Sequence, residues 1–169
     1  MRYSFTDPDR FIAGTVGDPG ERAFFIQARL SNRLISVALE KAQVQAIAAR
    51  LEIMVSEVRK SEPLAPIDKI PPDDAPLESP VDAEFQVGAI SLAWDDEKQR
   101  ICVELYELEE DEESSDGEVL EVNISLGQAI AFSTRSKAVV NAGRLPCPFC
   151  GIPIDPRGHL CPRSNGYRR

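Results

Sequence analysis

A proline-dense segment near the middle of the chain limits what this sequence can fold into. Residues 61–80 hold six of the thirteen prolines, a density that is incompatible with a helix interior or a central strand. Sequence with regular apolar patterns lies on both sides of it. We therefore predict two structured units, residues 1–60 and 83–143, joined by a semi-extended linker over residues 61–82.

The first unit is predicted to contain three strands followed by a helix. A strand from about Arg10 to Val16 precedes a Gly-Asp-Pro-Gly turn, and apolar residues then alternate through two further strands, near Phe24–Leu30 and Ile35–Leu39. Beyond them, apolar residues recur at spacings of three and four, which is typical of an amphipathic helix. These helix positions are Val44, Ile47, Leu51, Val55 and Val58.

The second unit repeats this order. Strands are predicted near Phe85–Trp94, Ile101–Leu105 and Leu120–Ile124, and Ser125 with Gln128 has the spacing of a capping box that opens a helix running to about Asn141. Phe11-Ile12-Ala13-Gly14 is loosely echoed by Phe85-Gln86-Val87-Gly88, which suggests an internal duplication. The predicted fold class is α+β. Two β-β-β-α units form an antiparallel sheet with the helices packed on it, and a small C-terminal tail follows over residues 144–169.

The net charge of −9 is distributed unevenly. Residues 144–169 contain five arginines against Asp155 alone, so the tail carries +4 and the rest of the chain −13. An acidic body repels polyanions, so RNA or an acidic protein partner would be contacted through the tail. Alternatively, the acidity simply keeps the protein soluble. The candidate partner-binding residues are Arg157, Arg163, Tyr167, Arg168 and Arg169.

An acidic block lies between the last two predicted strands of the second unit. Seven of the ten residues in 109–118 are acidic, but they lack the ligand spacing and fixed glycine of a calcium loop. We expect a hydrated hairpin loop here in preference to a cation site. The basic tail could also dock on this block, because opposite charges within one chain meet at high effective concentration.

Three of the four cysteines and the only histidine lie within fifteen residues of the tail. A Cys-x-x-Cys turn directs two thiolates at one ion, and an extended His-Leu-Cys segment places its histidine and cysteine on the same side. The polar, turn-rich residues 153–158 allow the chain to fold back between the two pairs. We therefore predict one structural zinc ion, which would supply the folding energy of the tail. Its ligands would be Cys147, Cys150, His159 and Cys161.

Other chemistry fits the cysteines less well. A disulfide is disfavoured because the sequence shows no secretory signal and the cytosol keeps thiols reduced. A thioredoxin-like redox pair normally sits between a strand and a helix, whereas this pair follows the end of a predicted helix. Pro146-Cys147-Pro148-Phe149-Cys150 matches half of the deaminase signature, but the His-x-Glu half is missing. Cys102, in a predicted strand, is interpreted as a half-buried packing residue. Neither a nucleophilic triad nor a nucleotide-phosphate loop is found.

The runs Gly143–Gly151 and Asp155–Tyr167 resemble the bacterial family catalogued as domain of unknown function 3090. Asp9-Arg10-Phe11 and the proline-rich middle are also similar, so the resemblance covers nearly the whole chain. It implies a bacterial cytoplasmic protein without an established activity. A cytoplasmic location also agrees with the absence of an apolar run long enough to cross a bilayer.

Two functional hypotheses follow from the sequence. The first is a binding or adaptor module in which the zinc-stiffened, zinc-ribbon-like tail presents its arginines to a protein or a phosphate-bearing partner such as RNA. The alternative is an enzyme with a carboxylate-lined site between the two repeated units. A deep polar pocket whose carboxylates have strongly shifted pKa values would favour the enzyme.

Overall fold

The computed structural model describes residues 1–18, 21–109 and 117–142. This part of the chain forms one sheet, with the strand order β1-β7-β6-β5-β4-β3-β2, and two helices. The strands are β1 (Arg2–Thr6), β2 (Arg10–Val16), β3 (Ala23–Leu30), β4 (Arg33–Leu39), β5 (Ala83–Asp95), β6 (Arg100–Glu107) and β7 (Val119–Ile124). The helices are α1 (Lys41–Ser61) and α2 (Leu126–Asn141).

The periodic residues form the elements that their spacing predicts. The alternating apolar residues of β6 and β7 are fully buried, and the five predicted apolar positions of α1 all face the core. Helix α2 opens with the predicted capping box, because Gln128 N donates to Ser125 Oγ at 3.1 Å and Ser125 N donates to Gln128 Oε1 at 3.0 Å. It ends at Asn141, as expected.

The sheet is mixed, so the prediction of an antiparallel sheet was wrong in part. Pairing is antiparallel inside each set of three strands, β2-β3-β4 and β5-β6-β7, but β4 pairs with β5 in parallel. The cause is the long crossover: α1 and the proline-rich segment carry the chain back before β5 begins, and such a connection produces parallel neighbours. Strand β1, which the sequence patterns missed, also pairs in parallel, with β7.

The two halves of the sheet are built alike. The long β5 pairs in parallel with β4 through its first part and antiparallel with β6 through its second, with a register shift between Val87 and Ile90. In the other half, β1 pairs in parallel with β7, and β2, which follows β1 in the chain, pairs antiparallel with β3. The echo predicted between Phe11–Gly14, in β2, and Phe85–Gly88, in β5, stays a prediction.

One hydrophobic core serves both halves. Its largest buried side chains come from β1, β3, β4, β6, β7, α1 and α2, and the Phe11 and Phe132 rings stack with their centroids 4.7 Å apart. The helices also touch directly, since Ser133 Oγ of α2 donates to Ala48 O of α1 at 3.1 Å. Among the described residues, neither helix is long and apolar enough to span a membrane.

Candidate functional site

The residues predicted to bind zinc lie outside the described residues, so that site stays a prediction. Residues 143–169 include the four ligands and the candidate partner-binding positions, namely Cys147, Cys150, His159, Cys161, Arg157, Arg163, Tyr167, Arg168 and Arg169. Most of the acidic block, residues 110–116, is outside as well. Within the described ranges, no group of three or more His, Cys, Asp or Glu side chains could hold a metal ion.

The proline-rich segment is seated on the body of the protein. Residues 62–82, here called the strap, contain no helix or strand. Leu77 of the strap is 7% exposed and covers Gly14 of β2, where an added Cβ would lie 2.5 Å from the Leu77 Cγ. At the start of α2, the Asp68 carboxylate accepts hydrogen bonds from Ser125 Oγ at 2.7 Å and from Gly127 N at 3.0 Å. Two glycines therefore provide the close approaches that the strap needs.

Two arginines of the body hold the centre of the strap. Arg10 of β2 donates to both carboxylate oxygens of Asp73, through Nε at 2.6 Å and Nη2 at 2.9 Å. Arg135 of α2 donates through Nη1 to Asp73 O and Ala75 O, both at 2.7 Å, and through Nε to Ala13 O at 2.8 Å. Both arginine side chains are only 12% exposed. The fork geometry of guanidinium suits this bidentate and carbonyl bonding.

A cleft of about 400 Å³ opens beside these arginines, between β2, α2 and the strap. The hydrogen bond from Arg10 is the main cause that lowers the pKa of Asp73, and burial lowers the pKa of Arg135. Asp73 is therefore held as a carboxylate and is unsuited to donating a proton. Asp73, Arg10 and Arg135 are all engaged in fastening the strap. The cleft is lined by Asp9, Arg10, Phe11, Ile12, Ile70, Pro71, Pro72, Asp73, Asp74, Ala75, Gln128, Ala131 and Arg135.

The sequence did not reveal this arrangement. Arg10, Asp73 and Arg135 lie in three different segments, and no motif or periodic pattern links them to one another. The one available signal was the density of prolines, which indicates an extended segment but says nothing about where that segment docks. Tertiary structure alone brings the three side chains together.

Cys102 is a half-buried residue of β6, as predicted. It lies on the sheet face opposite the core, where its Sγ is 3.8 Å from Glu121 Oε1. Burial, followed by the charges of Glu121 and Glu104, raises the pKa of its thiol to about 11. A thiol with that pKa is almost entirely protonated near neutrality, so Cys102 is a poor nucleophile and a poor metal ligand.

Comparison of the sequence with models of known protein families identifies a match. A family model described as a protein of unknown function, DUF3090, matches residues 3–161. The chain belongs to the DUF3090 family. The matched range covers nearly the whole chain and ends at Cys161, so it includes all four predicted zinc ligands. Neither a curated protein nor a solved structure matches this DUF3090 protein.

Proposed function

We propose that this DUF3090 protein is a zinc-dependent binding or adaptor module. One structural zinc ion would be held by Cys147, Cys150, His159 and Cys161, and the tail that it stiffens would contact a protein or phosphate-bearing partner. The observation that carries the proposal is the clustering of these ligand types: the only histidine and three of four cysteines lie in the tail. The contacting residues would be Arg157, Arg163, Tyr167, Arg168 and Arg169.

Contacts within the described body favour a binding role for the tail. The cleft beside the strap binds its own chain, because Arg10, Asp73 and Arg135 are engaged with one another or with strap carbonyls. The polar side chains at the centre of this cleft are therefore used to hold the strap, which favours the tail over the cleft as the site of partner binding. Five of the chain's nineteen lysine and arginine residues are arginines of the tail, where an acidic or phosphate-bearing partner would meet an excess of positive charge.

The alternative, an enzyme with carboxylates between the two units, has one carboxyl pair in its favour. A hydrogen bond to Asp96 is the main cause that raises the pKa of Glu62, and these residues lie where the end of α1 meets the β5–β6 turn. Neither residue lines the cleft beside the strap. The two units meet through apolar side chains and through two parallel strand pairs, β4–β5 and β1–β7. The binding module is therefore the better supported function.

Metal analysis of the purified full-length protein tests the zinc site. We expect about one zinc per chain, and we expect Cys150→Ser to lose it because a thiolate ligand is removed. Cys102→Ser is the matched control, since that thiol lies in β6 and should leave the zinc content unchanged. Zinc retained in full by Cys150→Ser, or no zinc in the unmodified protein, would overturn the assignment.

Binding measurements test the role of the tail. The full-length protein and its Arg157→Ala, Arg163→Ala variant would be titrated against a single-stranded RNA oligomer and against an acidic peptide. A phosphate-bearing partner predicts affinity for RNA that falls steeply with salt and weakens in the variant. An acidic protein partner predicts the same pattern with the peptide instead. Equal affinity of both proteins for both probes would contradict a binding role for these arginines.

A further inference from the structure

A second cleft, here called the groove, lies on the body away from the strap. Its volume is about 680 Å³, and it opens where β5 separates from β4, next to the first turn of α1. Three glutamates line it, and no lysine or arginine is found among its described lining residues. These residues are Glu40, Gln43, Gln86, Val87, Gly88, Ala89, Tyr106, Glu107, Leu108 and Glu109.

The floor of the groove is a fixed piece of main chain. Gln43 Nε2 donates to Val87 O at 3.1 Å and to Gly88 O at 3.0 Å, at the point where β5 shifts register. Leu108 N donates to Gln86 O at 2.7 Å, and Gly88 lies so close to Leu108 that an added Cβ would be 2.9 Å from its Cα. The groove is therefore formed by hydrogen-bonded backbone and exists before any ligand arrives.

The surface of the groove combines an apolar side chain with negative charge. Leu108 is 48% exposed, and Glu40 and Glu109 are exposed beside it. With three carboxylates and no cationic side chain among its described lining residues, the groove should attract a basic segment that carries some apolar surface. A polyanion would be repelled.

The basic tail follows α2, and the end of this helix lies on the same side of the body as the groove. Arg22, just before β3, donates through Nη1 to Val139 O of α2 at 2.9 Å. In the same end of the sheet, Phe24 of β3 pairs with Leu39 of β4, and Glu40 follows directly. The last turn of α2 and the groove residue Glu40 therefore lie at one end of the body. The chain continues from there into residues 143–169, so the tail begins at the end of the body where Glu40 lies.

We propose that the groove is a docking site for the protein's own basic tail. Residues 144–169 carry a net +4 together with apolar residues such as Leu145 and Tyr167, which matches the groove in charge and in polarity. The tether gives the tail a high effective concentration at the groove. The tail is thereby held on the body until an external partner competes for the same arginines. This inference rests on the proposed binding role of the tail and adds an autoinhibitory contact to it.

Limited trypsin digestion of the full-length protein tests the docking. The rates of cleavage after Arg157 and Arg163 would be followed by mass spectrometry for the unmodified protein and for Glu40→Gln, Glu109→Gln. Removing two exposed Glu–Arg attractions should raise both rates about fivefold at low salt, and the difference should vanish at high salt. The matched control is Glu57→Gln, Glu97→Gln, which removes the same charge from two exposed residues outside the groove and should cleave like the unmodified protein.

The cleavage rates of the three proteins show whether the tail docks in the groove. Equal rates in all three proteins, or equal acceleration in both variants, would overturn docking in the groove. Circular dichroism of the variants checks that the body is folded, so that faster cleavage reports the tail. The result is separable from the proposed function: a protein that binds one zinc but shows no difference in cleavage keeps the function and loses the docking site.

Discussion

The cleft beside the strap and the groove near α1 use charge in opposite ways. In the cleft, Asp73 binds Arg10 in a bidentate pair and lies 3.5 Å from Arg135, and these residues hold the strap. In the groove, Glu40 and Glu109 are exposed, and none of the described lining residues is cationic. Charge that is satisfied inside the fold stabilises the fold, whereas charge left at a preformed surface is free to recognise a partner.

The largest effect on stability is expected where the strap approaches α2 most closely. Glycine in a helix usually gains stability on replacement by alanine, but a Cβ at Gly127 would lie 2.7 Å from the Asp68 Cγ and closer still to its oxygens. We expect Gly127→Ala to lower the free energy of unfolding by about 1–3 kcal/mol, as overpacking does. Denaturant unfolding would measure this loss.

Gly117→Ala is the control for the change at Gly127, because a Cβ there would meet the Glu107 side chain at an ordinary 3.9 Å. This variant should unfold almost like the unmodified protein. If Gly127→Ala is as stable as Gly117→Ala, the strap is not seated on α2 as described.

A smaller effect is expected from neutralising Asp73. The pair is partly exposed to solvent, so we expect Asp73→Asn to cost about 1–2 kcal/mol, with Asp74→Asn, on the adjacent residue of the same cleft, costing less. Because the folded pKa of Asp73 is lowered, chiefly by Arg10, its contribution is complete above the unfolded pKa of about 4 and is lost as the pH falls through the folded pKa.

Unfolding measured as a function of pH checks this sign. The difference in stability between the unmodified protein and Asp73→Asn should shrink as the pH falls below about 4. A difference that grows on acidification would show that Asp73 is not held as an anion by Arg10.

The smallest effect on stability is expected in the groove. Glu40→Gln with Glu109→Gln should change the free energy of unfolding by no more than about 0.5 kcal/mol, since both side chains are exposed and a glutamine at position 40 keeps an oxygen that can accept the capping hydrogen bond at the start of α1. Thermal or denaturant unfolding of the double variant provides the measurement. A loss as large as that of Gly127→Ala would make the groove a structural feature and remove the contrast with the cleft.

The features of this fold that could be predicted are those that depend on residues close together in the sequence. The helix positions of α1, the capping box of Ser125 and Gln128, and the alternating strands all depend on spacings within one segment. Strand β1 was missed because it is short and pairs with β7, near the other end of the described chain. The mixed sheet and the Arg10–Asp73 pair were missed for the same reason, since both depend on which distant segments meet.

Removal of the metal from the full-length protein tests the whole account most directly. The sheet and both helices form a hydrophobic core of their own among the described residues, so we expect zinc to shape the tail without holding the body together. We predict that a strong chelator removes about one zinc per chain and lowers the unfolding temperature of the body by less than about 2 °C, because a ligand stabilises only the unit that binds it. A protein without zinc, or a body that unfolds when zinc is removed, would contradict the account.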